Sequence, residues 1–316
     1  MMELFGRYSF RNDHYTFYNG GTGFSFKMKG NSFTISFVSK PVDGYYYIII
    51  DRDYSNKAKV YTDKPYRFQF NDKEPHLVDI LKANEANDNV FELETLRVDG
   101  QILKYDHQYA YTAKVYGDSS IAGFGILSHD GPSSVHTNDS VRDFCFKALY
   151  EMNIKMDILA ASGYGLAFSA YTCPKNIGIY DYVNKVSVNS NNIWKDTGKY
   201  DILIISLGCN DDSFIRENPE NKEENIQKFI KKYQSLIDEQ MKINPDIKTL
   251  MIYGTLKEEN AYYLYEQTYK QLKPLYKNLY IHKFDGDKSA ISNHAYVDAH
   301  ERMGEELKTV LKTILK

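Results

Sequence analysis

A chain of 316 residues, 42% apolar and 26% charged, has the balance of a globular protein and a length that fits two domains. A formal net charge of −3 with no long Lys/Arg block excludes the footprint of a nucleic-acid binder or of a partner for acidic membranes. No apolar run approaches the roughly 18 residues of a transmembrane helix, and the opening "MMELFGRYSF" has no secretory h-region. The compartment is therefore left open: cytoplasmic as the chain stands, secreted if a signal peptide has been removed.

Residues 1 to about 108 are predicted to be strands. In "TGFSFKMKG" Phe24, Phe26 and Met28 point one way and Ser25 and Lys27 the other, and "NSFTISFVS" repeats the pattern with Phe33, Ile35 and Phe37. "YYYIIIDRD" is a fuller apolar run, as a central strand is, and "YRFQFND" and "VFELETLRVDG" follow. Alternation with a period of two, punctuated by Asn, Asp and Gly, predicts an antiparallel sandwich.

After residue 109 the period changes. "AKVYGDSS" is a predicted strand, and "DSVRDFCFKALYEMN" a helix with Val141, Phe144, Cys145, Ala148 and Leu149 on one face. Strand "IKMDILAASG", the non-alternating strand "YDILIISLG" and the amphipathic helix "EENIQKFIKKYQSLIDEQMKI" come next. Strand "KTLMIYG", helix "ENAYYLYEQTYKQLK", strand "NLYIHKF" and a final amphipathic helix complete the chain. Strands alternating with helices predict a parallel α/β sheet, whose ligands sit at the carboxyl ends of the strands.

Three polar motifs fall at such ends: Gly117-Asp118-Ser119, Ser162-Gly163-Tyr164-Gly165 and Gly208-Cys209-Asn210-Asp211. An exposed hydroxyl with donors aimed at a developing oxyanion is what acyl transfer needs. Ser119 supplies the hydroxyl; the Ser119 and Gly163 N–H groups and the Asn210 amide supply donors. The stretch "GDSSIAGFG" lacks the lysine of a phosphate-binding P-loop. Cys145, Cys173 and Cys209 show no CxxC spacing, so half-buried thiols are expected rather than a zinc site or disulfides. His129, Asp130, His136 and Asp139 are expected to lie in a solvated loop rather than to hold a metal. Asn210 and Asp211 also fit an ordinary Asx-turn.

The block order GDS, SG, GxND and a late histidine resembles the SGNH (GDSL-type) hydrolases. More closely, "GDSSIAGFG", "SGYGL" and "LGCND", with "TNDSVRDF", "GRYSF" and "FELETLRVDG", resemble carbohydrate esterase family 2 over nearly the whole chain. The resemblance implies an N-terminal β-sandwich of jelly-roll type over residues 1–108. It implies a C-terminal flavodoxin-like three-layer α/β/α SGNH domain over residues 109–316. It implies a serine esterase that removes O-acetyl groups from sugar hydroxyls of an acetylated oligo- or polysaccharide, such as acetylxylan or acetylated mannan. Ser119 would be the nucleophile, with Ser119, Gly163 and Asn210 as the oxyanion hole, and no metal or organic cofactor. The alternatives are a glycan-binding protein with a degraded site, and a short-chain esterase for a non-plant glycan or small ester.

The base is sought in "SNHAYVDAHERMGEEL", residues 292–307. Asp298 and His300 form an Asp-x-His pair. The family pattern instead aligns "AHERMGEEL" with its second, structural histidine, which makes His294 the catalytic one. Periodicity agrees, because Ala299, Met303, Leu307, Val310, Leu311 and Ile314 form one helical stripe, which puts His300 inside a helix and His294 in the loop before it. On this register Ser292 stands at the family's aspartate position, and Asn293 and Ala295 replace an aromatic and a proline. A Ser119–His294 dyad is then expected, the imidazole oriented by a carbonyl or by Ser292, with Tyr296 or Tyr164 as the substitute stacking platform.

Overall fold

A computed structural model describes residues 2–170, 173–174, 176–196, 198–256 and 261–316. The first half supplies β1 (Glu3–Phe5), β2 (Tyr8–Arg11), β3 (His14–Phe17), β4 (Gly23–Lys40), β5 (Tyr45–Ile50), β6 (Ala58–Tyr61), β7 (Tyr66–Gln69), β8 (Pro75–Lys82) and β9 (Val90–Leu103). These pair antiparallel in one nine-stranded sheet, ordered β2-β3-β9-β4-β8-β5-β6, with β1 and β7 also on β4.

The two alternating runs read from the sequence as separate repeats are one strand. β4 runs 18 residues, pairing with β9 from Lys27 to Lys40 and shifting register between Gly30 and Ser32 and between Ser36 and Phe37. Its first half takes β8 on its other edge and its second half takes β7, so one strand serves two parts of the sheet. Phe24, Phe26, Met28, Phe33 and Ile35 are buried in a core with Tyr46, Ile48, Val78 and Phe91. The opposite face of the first half is covered as well. Ser25 and Asp79 are fully buried, Asp79 accepting from Ser25 and from the Tyr150 hydroxyl of the second half. Polar residues there point at another layer rather than at water, which alternation cannot distinguish.

The second half supplies β10 (Tyr111–Gly117), α1 (Ser119–Ala122), α2 (Phe144–Glu151), β11 (Ile154–Ala160), β12 (Ile202–Ser206), α3 (Cys209–Glu217), α4 (Lys222–Ile243), β13 (Lys248–Tyr253), α5 (Tyr262–Leu272), β14 (Leu279–Lys283) and α6 (Val297–Ile314). The five strands are parallel, ordered β11-β10-β12-β13-β14, a doubly wound arrangement. Ile202 and Ile204 of β12 face Phe144 and Leu149 of α2 and Met303 and Leu307 of α6. Leu203 and Ile205 face Ile226, Phe229 and Tyr233 of α4 and Leu264 of α5. Helices on both faces explain why β12 is apolar without alternation. The predicted start of the helix before β13's successor, residues 259 and 260, lies outside the described residues.

Helix α2 begins later than its periodicity predicts. Asp143 caps it, accepting from the Cys145 and Phe146 N–H groups at 2.6 and 3.0 Å, and residues 139–143 form a loop. That loop joins the two sheets. The hydroxyls of Tyr45, Tyr47 and Tyr54 donate to Asn138 O, Asp139 Oδ2 and Val141 O at 2.7, 2.7 and 2.8 Å. Asp139 is fully buried, so the expectation of a solvated loop fails for it, while His136 and Asp130 are exposed. The apolar core around α2 and α6 also takes in Phe5, Tyr45, Tyr47 and Leu81 of the antiparallel sheet.

Candidate active site

The register of the parallel sheet brings the three polar motifs together. Gly117 lies opposite Ala160 on one side and Ser206 on the other. Ser119, Ser162-Gly163 and Gly208-Asn210 therefore leave three neighbouring strands at one rim. Ser119 opens α1 behind Asp118, whose carboxylate accepts the Ser120 N–H at 3.0 Å.

The stretch from 286 to 297 is sewn onto the loop after Ser119. Ile291 N donates to Ser128 O at 3.2 Å and Val297 N to Ile126 O at 2.9 Å. Gly125 has φ +66°, and a Cβ there would stand 2.9 Å from Ile291 Cβ, so only glycine lets the two loops close. The Phe124 ring packs on the His294 ring at 4.8 Å between centroids.

The result is a direct contact: His294 Nε2 lies 2.7 Å from Ser119 Oγ. On the far side of the ring, Nδ1 faces the backbone carbonyls of Ile291 and Ser292 at 3.1 and 3.2 Å. A carbonyl only accepts, so Nδ1 carries the proton and Nε2 is left to accept from the Ser119 hydroxyl. Ser292 and Asn293 both sit in the left-handed region, φ +53° and +62°, and this tight turn points the two carbonyls at one nitrogen. Burial pushes the imidazole below its ordinary 6.5, opposed by the two carbonyl hydrogen bonds.

His300 is placed elsewhere. It is 1% exposed inside α6, its Nδ1 accepts the Phe144 N–H at 3.2 Å, and burial pushes its pKa down to about 3. Asp298 is exposed on the first turn of that helix. Burying the ring while its partner faces water takes apart the Asp-x-His pair. Of the two stacking candidates, Tyr164 is 6% exposed and turned edge-on to Tyr182, so it offers no open face. Tyr296 stacks on His129 at 3.9 Å, which covers one of its faces.

Gly163 adopts φ +82°, which turns the chain back at the rim, and Ala170 N donates to its carbonyl at 2.8 Å. Asn210 Nδ2 donates to Tyr164 O at 3.0 Å, joining the third motif to the second and leaving a second amide hydrogen on the same nitrogen. Asp211 makes the stronger link. It is fully buried and accepts from the Leu166, Ala167 and Phe168 N–H groups at 2.7, 2.7 and 2.9 Å. Burial raises its pKa to about 6, and the three N–H groups hold it down. This is more than an Asx-turn: one carboxylate fixes the loop that carries Gly163. Its sequence signal is a carboxylate directly after the asparagine of the third motif.

Among the described residues no group of three or more His, Cys, Asp or Glu is spaced to hold a metal ion. Cys145 is buried and Cys173 and Cys209 partly so, the Cys173 thiol lying 3.8 Å from Ser162 O and the Cys209 thiol 3.7 Å from the Tyr265 hydroxyl.

Residues 4–105 match the family described as carbohydrate esterase 2 N-terminal. Solved structures share the fold over the whole chain. A family two carbohydrate esterase from Clostridium thermocellum, solved with cellohexaose, is 18% identical with a TM-score of 0.82, covering 100% of this chain and 99% of its own. An acetyl xylan esterase from the rumen bacterium Butyrivibrio proteoclasticus is 14% identical with a TM-score of 0.84, covering 99% and 95%. A salicylyl-acyltransferase from a tetracycline biosynthetic pathway is 11% identical with a TM-score of 0.66, covering 99% and 94%. No curated protein sequence matches the chain.

Proposed function

With its first hundred residues in the carbohydrate esterase 2 N-terminal family and its whole length in that architecture, we propose that the chain is a carboxylic ester hydrolase that removes acetyl groups from sugar hydroxyls. The substrate is an acetylated oligo- or polysaccharide. The observation that carries this reading is the 2.7 Å contact between Ser119 Oγ and a His294 ring whose other nitrogen is tied to carbonyls. The same contact favours turnover over a purely glycan-binding role, because a binding site has no use for a polarised serine.

The geometry supports the following chemistry. Ser119 Oγ attacks the ester carbonyl as its proton passes to His294 Nε2. The carbonyl oxygen becomes an oxyanion, received by the Ser119 and Gly163 N–H groups and the Asn210 amide, donors worth about 3 kcal/mol each. The imidazolium returns its proton to the sugar oxygen as the C–O bond breaks, leaving an acetyl-enzyme. Water then loses a proton to the same nitrogen and attacks the acetyl carbon; the Ser119 Oγ–C bond breaks, the proton returns to Oγ and acetate leaves. In a triad the carboxylate sets the histidine tautomer and stabilises the imidazolium. Here the Ile291 and Ser292 carbonyls perform the first task fully and the second with partial charges only.

A panel of p-nitrophenyl esters together with acetylated xylan tests the reading. Acetate release from the polysaccharide is expected, with ester turnover falling steeply beyond roughly four acyl carbons. A preference for octanoate, or retention of the polysaccharide without release of acetate, would overturn it.

A further inference from the structure

The loop after β8, "NEAND" at residues 84–88, belongs to the antiparallel sheet, yet it reaches the second motif of the parallel one. Glu85 Oε2 accepts the Ser162 N–H at 2.9 Å. Asn87 Nδ2 donates to Ser162 O at 3.2 Å. Both backbone groups of Ser162 are therefore held by side chains from the other sheet.

The second bond matters most. Ser162 C=O and Gly163 N–H belong to the same peptide unit, which is planar and trans, so the two bonds point in opposite directions. Drawing the carbonyl toward Asn87 turns the Gly163 N–H the other way. Glu85, on the preceding N–H, limits rotation of the same turn from its other end.

The clamp is itself braced. Asn189 Nδ2 donates to Asn87 Oδ1 at 3.1 Å and to Ala86 O at 2.9 Å. Lys82 Nζ donates to Asn84 O and Glu85 O at 2.5 and 3.1 Å, fixing the backbone that carries Glu85. Glu85 is 2% exposed, whereas Asn87 lies at the surface. A buried carboxyl and a buried amine are costly to keep at a loop whose only task is to turn the chain.

We propose that Glu85 and Asn87 are positioning residues of the esterase site, aiming the Gly163 N–H at the oxyanion through Ser162. This rests on the proposed function, and it gives the antiparallel sheet a part in catalysis. Burial and nearby Asp88 push the Glu85 carboxyl upward, while Lys82 and the Ser162 N–H pull it back. The amide of Glu85→Gln keeps an oxygen acceptor for the Ser162 N–H, so it serves as the conservative control.

Steady-state turnover of p-nitrophenyl acetate by Asn87→Ala, Glu85→Ala and Glu85→Gln in the full chain tests the clamp. In Asn87→Ala, kcat is expected to fall at least about tenfold, as for a weakened oxyanion donor. KM and the unfolding midpoint should stay near the parent's, since an exposed side chain leaves no cavity. Glu85→Gln should restore most of what Glu85→Ala loses. Hydrogen exchange at residues 162 and 163 should quicken in Asn87→Ala. If the parent shows no Ser119-dependent turnover, the proposed function fails and exchange alone decides the clamp. Asn87→Ala with kcat within twofold of the parent in an active enzyme, or with unchanged exchange in an inactive one, overturns the proposal.

Discussion

Replacing His294 by alanine is expected to lower kcat on p-nitrophenyl acetate by about four orders of magnitude or more, the scale seen when the base of a serine hydrolase is removed. The variant should still fold, because the ring sits at the rim and its loop is held by backbone bonds from Ile291 and Val297. His300→Ala is expected to do the reverse, keeping turnover within about tenfold and losing about 1–3 kcal/mol of stability, because the Phe144 N–H loses its acceptor in a buried place. The two histidines also separate by pH. As the proposed base His294 must be neutral, so kcat/KM should fall on the acid side of a midpoint below 6.5. His300 is held neutral down to about pH 3, while in the unfolded chain it takes up a proton near 6.5. The unfolded state then binds more protons across that window, so stability falls as pH drops through it. Loss of activity in His300→Ala with retention in His294→Ala would reverse the assignment.

The largest effect on stability is expected at Asp157. Its carboxylate accepts from Arg7 Nε at 2.9 Å and Lys114 Nζ at 2.8 Å, and from Trp194 Nε1 and Tyr200 OH at 3.3 and 3.2 Å. Arg7 and Lys114 are both fully buried. Arg7 also donates to the carbonyls of Val183 and Lys185 at 3.1 and 2.7 Å, which ties the start of the antiparallel sheet to a loop of the parallel one. Asp157→Ala would leave Arg7 buried without its counter-charge and Lys114 with Asp196 as its remaining ion-pair partner, a cost of about 3–5 kcal/mol. Denaturant unfolding measures it. A matched apolar replacement of Arg7 and Asp157 together should cost less than the sum of the two single changes. A loss below about 1 kcal/mol for Asp157→Ala would show that the network does not hold the sheets together.

The parallel half was legible because its elements declare themselves by period, and the predicted strands and helices sit within a few residues of those observed. Helix α3 (Cys209–Glu217) was not predicted at all, and α2 starts at Phe144 because Asp143 competes as a cap and residues 138–141 are claimed by tyrosines from the other sheet. Such a claim is a tertiary contact with no local signature. The antiparallel half was legible in type but not in path. β4 reads as two strands because "KGN" at residues 29–31 looks like a turn, whereas Gly30 and Gly100 pass so closely that a Cβ on Gly30 would meet Asp99 O at 2.1 Å. At the candidate site the three motifs and His294 were visible as residues. That a carbonyl orients the imidazole was expected, but not that it is the carbonyls of Ile291 and Ser292, since backbone acceptors leave no trace in residue identity. Glu85 and Asn87 were hidden for another reason: they come from the sheet that carries no catalytic motif.

The central claim is that Ser119 itself takes the acyl group, activated by His294 without a carboxylate. Acid quenching during turnover of p-nitrophenyl acetate, followed by peptide mass spectrometry, tests it most directly. One acetyl group is expected on the peptide containing Ser119, absent in Ser119→Ala. Ester hydrolysis that persists undiminished in Ser119→Ala, or an acetyl group that accumulates on another side chain, would contradict it.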